Sequence, residues 1–548
     1  MAARFIIRNL FIFFIVLSLS FSYCNSSILF YAPAVYGNTG SIIGINLTLI
    51  EGDGTIFVSV EPTIGTQIQE SLKTASKIVH LYSPKEEKCS LLVNFNSENT
   101  QFIDGPSAGL AIAVNLYALL ENRSVKNGVI FTGGIDENGI ITPVGGVYEK
   151  TIASARQGYT YMIVPKLSVP EKILISKIKN KYNISIIEEI YFEDVLDFTL
   201  FNISKNETVF YLELEPKIEI EEYPFKSFKL QIFSPVVDDM LDLEKQELDN
   251  LQIPEGFDLL KEYYESVANN TKLLKEKGYY FSSANMAFLD YISISSISHM
   301  DDIDLEKKKN EIFTCLDKKN YPKKTTQNFE WIASSKLRDY WAVYQIENTQ
   351  LKENMLEEEK FYLFKELMYA DAWCHVSDSL LKIARENSKG EIFDESALIP
   401  HANALLFEIS ELKKTSEFFE NRHIQTSEKL YEDGEYSASI FSSLYVLHLE
   451  KGVCNNFSDE LLKSTISIYS SKNPESYWGK IYHTQGYYFM LNGDLKESCN
   501  LFSYAFAIDD AVYSMNAVQP KGQDNPFEFC FPSFIFLLLF LGIYIKIN

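Results

Sequence analysis

Ser107 and Lys150 stand 43 residues apart, each in a glycine-marked turn that runs into a helix, and no other pair in the chain is better suited to chemistry. Ser107 lies in Asp104-Gly105-Pro106-Ser107-Ala108-Gly109, followed by small and apolar residues as far as Leu120. A serine there sits beside unbonded N–H groups and the positive end of a helix dipole, where an oxyanion is stabilised. Lys150 closes Gly145-Gly146-Val147-Tyr148-Glu149-Lys150, on the first turn of the next helix. A serine hydroxyl needs a base to become a nucleophile. No histidine neighbours either stretch, but a neutral lysine can serve. At its free pKa of about 10.4, about one lysine in 2,500 is neutral at pH 7. Lowering that value to about 7–8 takes roughly 3–5 kcal/mol, which burial beside Val147 and Ile152 would supply. The amine would take the Ser107 proton, and the ammonium would return one to the leaving amine. Thr132, ahead of Gly133-Gly134, is placed to aim the amine.

Taken singly, Ser107 reads as a helix N-cap and Lys150 as a solvated lysine. The two flanking glycine boxes favour the chemical reading of the pair. Positioning them requires a mixed α/β unit over residues 38–202. Ser41–Ile50 and Thr55–Val60 flank Glu51-Gly52-Asp53-Gly54 and predict a hairpin. Ile68, Leu72, Ala75 and Val79 share one face of a predicted helix over 66–82. Strands are expected at 91–95, 129–132, 140–144 and 161–164. Helices are expected at 107–120, 147–157 and 170–179, with Gly158 as a helix stop.

Residues 203–239 read as a linker with alternating charge, and 240–515 as an all-α region. Around Gly278, Gly434 and Gly493 the pattern is that of helical hairpins with a tetratricopeptide-like character, although the spacing is irregular. Residues 1–24, with Arg4 and Arg8 ahead of an apolar stretch, read as a signal peptide or N-terminal anchor. Residues 529–545 read as a transmembrane helix of about 25 Å. Lys546 beyond it places the C-terminus in the cytoplasm and the body outside. A net charge of −24 with no basic patch argues against nucleic acid as a partner. The seven cysteines leave five after the two end segments are discounted, and their pairing is not readable. No metal spacing occurs, so neither metal nor cofactor is expected. Asn-X-Ser/Thr triplets at Asn25, Asn46, Asn122, Asn183, Asn202, Asn206, Asn269 and Asn456 permit glycosylation without showing it.

The two boxes resemble those of the Lon-type proteolytic domain, and the resemblance covers about residues 38–202. Gln69-Glu70-Ser71, Thr132-Gly133, Gly139, Pro143-x-Gly145-Gly146 and Ile187-Glu188-Glu189-Ile190 add to it. It implies a serine protease with Ser107 as nucleophile and Lys150 as base. Thr132 would support the lysine, Asp104 and Glu70 would line the site, and Gly105, Pro106 and Ala108 would shape the oxyanion turn. The fold it implies for 38–202 is a Lon-type α/β domain; with the helical-hairpin domain read above, the chain as a whole is expected to be α+β. The partner it implies is a protein or peptide substrate; ring assembly, known for Lon domains, leaves a homo-oligomer open.

The chain departs from the family in lacking a Walker loop, so the ATPase motor is absent, and Gly134 replaces a common glutamate. Anchored and motorless, it looks like archaeal Lon-like membrane proteases. Two other readings are weighed. A fold-related small-molecule kinase fits poorly, because Gly105-Pro106-Ser107 offers few free N–H groups to a phosphate. A catalytically inactive surface adaptor would bind partners through its helical domain.

Overall fold

Alternation between buried and exposed residues sets the first sheet of the computed structural model. The structure describes residues 24–519 apart from 37–38, 84–88, 97–101, 202, 204–211, 213, 215, 226–227, 255, 350, 352–354, 356, 415–420 and 456. The expected leader (except Cys24) and the expected span over 529–545 lie outside the described residues. Among the described residues, no helix is long and apolar enough to cross a membrane.

Strands β1 (Ser26–Tyr36), β2 (Thr39–Glu51), β3 (Ile56–Val58) and β5 (Cys89–Asn96) form a sheet in the order β1-β2-β5-β3. The hairpin is β1–β2, with Tyr36 opposite Thr39. The expected hairpin between β2 and β3 is therefore corrected: β5 lies between them, antiparallel to β2 and parallel to β3. The reason is apolar content. Leu91, Val93 and Phe95 of β5 are buried beside Ile45, Leu47 and Leu49 of β2, whereas β3 has only three residues and no buried one. The expected start at residue 38 also shifts, because β1 buries Phe30 and Ala32 in the same core.

Helix α1 (Thr66–Tyr82) follows the short strand β4 (Thr63–Ile64), which pairs with β6 (Phe102–Ile103). It buries the expected face, Ile68, Leu72, Ala75 and Val79, against the sheet and against α2 (Gly109–Leu120). A parallel sheet of β7 (Val129–Phe131), β10 (Tyr161–Val164) and β11 (Ser185–Glu188) has β10 at its centre. Strands β8 (Gly134–Ile135) and β9 (Ile141–Thr142) form a small antiparallel pair. Helices α3 (Val147–Arg156), α4 (Val169–Tyr182) and α5 (Phe192–Thr199) complete this region.

Contacts divide the chain into two compact units. The first holds the α/β region together with 231–319 and 341–379, including α6 (Ser234–Asn250), α7 (Leu260–Glu276), α8 (Tyr280–Ser298) and α9 (Leu305–Asp317). The expected boundary at 203–239 does not separate these helices from the α/β region. Val169 and Ile173 of α4 share an apolar cluster with Leu212, Leu260, Tyr264 and Ile294, and Lys177 pairs with Asp301 at 2.6 Å.

Helices α10 (Phe329–Asn348) and α11 (Glu357–Glu386) contribute residues to both units. The second unit adds α12 (Ile399–Leu412), α13 (Arg422–Glu432), α14 (Tyr436–Tyr445), α15 (Asp459–Ser470), α16 (Tyr477–Leu491) and α17 (Leu495–Ala517). Helix pairs stand at all three expected hairpins: α7–α8, α13–α14 and α16–α17.

Three disulfides tie Cys24 to Cys89, Cys315 to Cys374 and Cys454 to Cys499. Setting Cys24 aside with the leader is thereby corrected. It belongs to the folded body, and all six described cysteines are paired.

Candidate active site

The turn that carries Ser107 is built from three local constraints. Gly105 has φ +111°, a conformation that side chains with a Cβ rarely adopt. Pro106 opens a short 3-10 turn, Pro106–Ala108, that leads into α2. The Asp104 carboxylate accepts a hydrogen bond from the Ile68 N–H at 3.1 Å, capping α1 from a distance where its own N-cap, Gly65, has no side chain to offer. Ser107 is half-buried, Ala108 is buried and Pro106 is exposed. The Gly133 N–H donates to the Ser107 carbonyl at 3.0 Å, and the Leu110 N–H donates to the Gly133 carbonyl at 3.0 Å. Two backbone bonds thus join the Ser107 turn to the end of β7, where Thr132 stands.

Lys150 is only 4% exposed. Gly146, in the left-handed region, precedes α3, and the Lys150 ammonium donates to the Gly145 carbonyl at 2.8 Å. Burial lowers its pKa from 10.5 to about 8, against the opposing pull of the Glu149 and Glu171 carboxylates. Helix α3 lies close over β2, since a Cβ at Gly40 would overlap the Glu149 carbonyl. Strand β1 packs against the Ser107 turn, β7 and α3. It thus touches all three pieces of the expected site.

Thr132 is fully buried, and its hydroxyl has no hydrogen-bond partner among the described residues. Leaving a buried hydroxyl without a partner costs about 1–3 kcal/mol. Asp104 is exposed, and its described hydrogen bond goes to the start of α1. Glu70 is exposed on α1. Among the described residues, no group of three His, Cys, Asp or Glu side chains is placed to hold a metal ion.

Sequence reasoning missed Val35, at the end of β1, whose side chain lies against Gly146. The apolar run from Ile28 to Val35 was the available signal, had the domain not been started at 38. It also missed Glu171. That residue forms the glutamate half of a capping box with Ser168, readable as S-x-x-E: its carboxylate accepts from the Ser168 N–H at 3.0 Å and from the Ser168 hydroxyl at 2.6 Å.

The Lon protease (S16) C-terminal proteolytic domain matches residues 34–202. The chain is 31% identical over 174 residues to the Lon protease of Fervidobacterium nodosum, covering 30% of this chain and 20% of that protein. It is 37% identical over 134 residues to the Lon protease of Dictyoglomus thermophilum, covering 23% and 16%. With Lon protease 2 of Bacillus subtilis it shares 29% identity over 196 residues, covering 33% and 34%. The chain thus spans between 16% and 34% of the length of these curated relatives. Residues 34–202 accordingly match a Lon-type proteolytic domain, and serine peptidase is the reaction class these similarities support.

Proposed function

We propose that this protein is an ATP-independent serine endopeptidase in which Ser107 is the nucleophile and Lys150 the general base. In this reading it is anchored by residues 529–545 with its body outside the cytoplasm. The observation that carries the catalytic part is the buried Lys150 amine, whose pKa falls to about 8 inside a region that matches a protease domain. About one such amine in ten is neutral at pH 7, against one in thousands for a free lysine. The neutral amine takes the Ser107 hydroxyl proton as Oγ attacks the scissile carbonyl. Backbone N–H groups of the Ser107 turn stabilise the oxyanion. The ammonium then protonates the leaving amine, and water releases the acyl group with Lys150 again as base. Thr132, with its unbonded hydroxyl, orients the amine.

Three disulfides in the described body support an oxidising, extracytoplasmic compartment. The absence of a Walker loop from the sequence supports independence from ATP and a preference for unfolded or extended substrates. The test is hydrolysis of unfolded casein by the full chain in detergent, without ATP, across pH 6–10. Activity is expected to rise with pH through a midpoint near 8. Ser107→Ala and Lys150→Ala are expected to lower it by roughly 10³-fold or more while keeping the wild-type circular dichroism. A wild type inert over that whole range would overturn the proposal and leave the adaptor reading standing.

A further inference from the structure

Five Asn-X-Ser/Thr triplets fall among the described residues, and the fold sorts them into two kinds. Asn46 is half-buried in the middle of β2, a strand paired on both sides, and its amide donates to Thr48 Oγ1 at 3.4 Å. Asn269 lies inside α7, and the Thr271 hydroxyl of its triplet is buried and bonded to the Val267 carbonyl at 3.1 Å. Asn25, Asn122 and Asn183 differ. All three are exposed and stand outside helix and strand. Asn122 comes two residues after the end of α2, and Asn183 immediately follows α4. At φ 49° and 53°, these two are the only non-glycine residues with positive φ among the described residues. The serines that complete the three triplets, Ser27, Ser124 and Ser185, are exposed or half-exposed.

We propose that Asn25, Asn122 and Asn183 carry N-linked oligosaccharide, and that Asn46 and Asn269 do not. The proposal rests on the exported reading above. In the transfer, the asparagine Nδ2 attacks the anomeric carbon of a lipid-phosphate-linked oligosaccharide. The N–C bond forms as the C–O bond to phosphate breaks, an amide proton passes to a base of the transferring enzyme, and the lipid phosphate leaves. Turn sites accept a bulky polar group without disturbing a ladder or a packed helix face.

A left-handed asparagine also has a purely conformational use, so the variants must leave it in place. The full chain is isolated from the organism that makes it, and its peptides are mapped by mass spectrometry. Peptides holding Asn25, Asn122 and Asn183 are expected to carry a sugar mass. Ser27→Ala, Ser124→Ala and Ser185→Ala should each remove one of these masses and leave the other two. A disulfide-bonded protein on the outer face with these three sites bare would overturn this proposal alone. So would sugar confined to Asn46 or Asn269. A protein with free thiols on the cytoplasmic side would overturn the export reading, and this proposal with it.

Discussion

Burying a lysine amine is expensive, and at Lys150 the Glu149 and Glu171 carboxylates offset only part of the cost. The native state favours the neutral amine, with a pKa of about 8 against 10.5 for an ordinary lysine. Between those values the unfolded chain holds a proton that the native state has released, so stability rises with pH across this window. At pH 7 the protein is below the window and bears nearly the full penalty, roughly 3 kcal/mol. Lys150→Met should therefore abolish hydrolysis yet raise the thermal midpoint at pH 7. The gain should shrink as pH rises from 8 towards 10.5, as calorimetry across that range would show. A variant no more stable than wild type at pH 7 would argue for a hydrated amine. Ser107, Lys150 and Thr132 stand out as candidates in the sequence because glycine boxes mark the turns around them. Val35 and Glu171 were less legible, because an apolar run and a cap pattern mark a strand and a helix start but not what each lies against.

Among the elements, helix faces were read more faithfully than strand order. The buried stripe of α1 follows from its 3.6-residue period, which is local information. The place of β5 between β2 and β3 is a long-range choice made by apolar burial, and the local turn signal at Glu51–Gly54 pointed the other way. Helix α6 supplies a test of its own. Glu244 is 1% exposed, and neither of its carboxylate oxygens has a hydrogen-bond partner among the described residues. Burial, reinforced by Asp290 of α8 and opposed by Lys272 of α7, pushes its pKa from 4.5 up to about 8. The native state holds this proton between those values while the unfolded chain has lost it, so stability falls as pH rises through the window. Glu244→Gln should flatten that fall, retaining roughly 2–4 kcal/mol more than wild type at pH 9 than at pH 5. Denaturant titrations at the two pH values would decide it, and parallel changes in both proteins would refute it.

For the whole molecule, the sequence shows that a helical region follows an α/β region, but not which helices belong to which body. Val169 and Ile173 are apolar whatever they touch, and only the fold reveals that they meet Leu260 and Ile294. Cysteine pairing was hidden for the same reason. The disulfides span 65, 59 and 45 residues, and loops of that length stabilise by about 4 kcal/mol each in the chain-entropy account. Cys315→Ser/Cys374→Ser should therefore lower the denaturation free energy of the unit that holds α9 by several kcal/mol at most, about 4. Unchanged unfolding in the presence of a reductant would contradict it.

Each of these bridges joins cysteines that are consecutive in the described chain: 24 to 89, 315 to 374, 454 to 499. Six cysteines allow 15 connectivities, and this one is selected simply by order of appearance. A chain threaded through a translocon from its N-terminus would present Cys89 while Cys24 was the only thiol waiting, and the same holds for each later pair. In the export reading proposed above, first-come oxidation during emergence would yield the native set without reshuffling. Refolding the fully reduced chain all at once loses that order and must search among the alternatives.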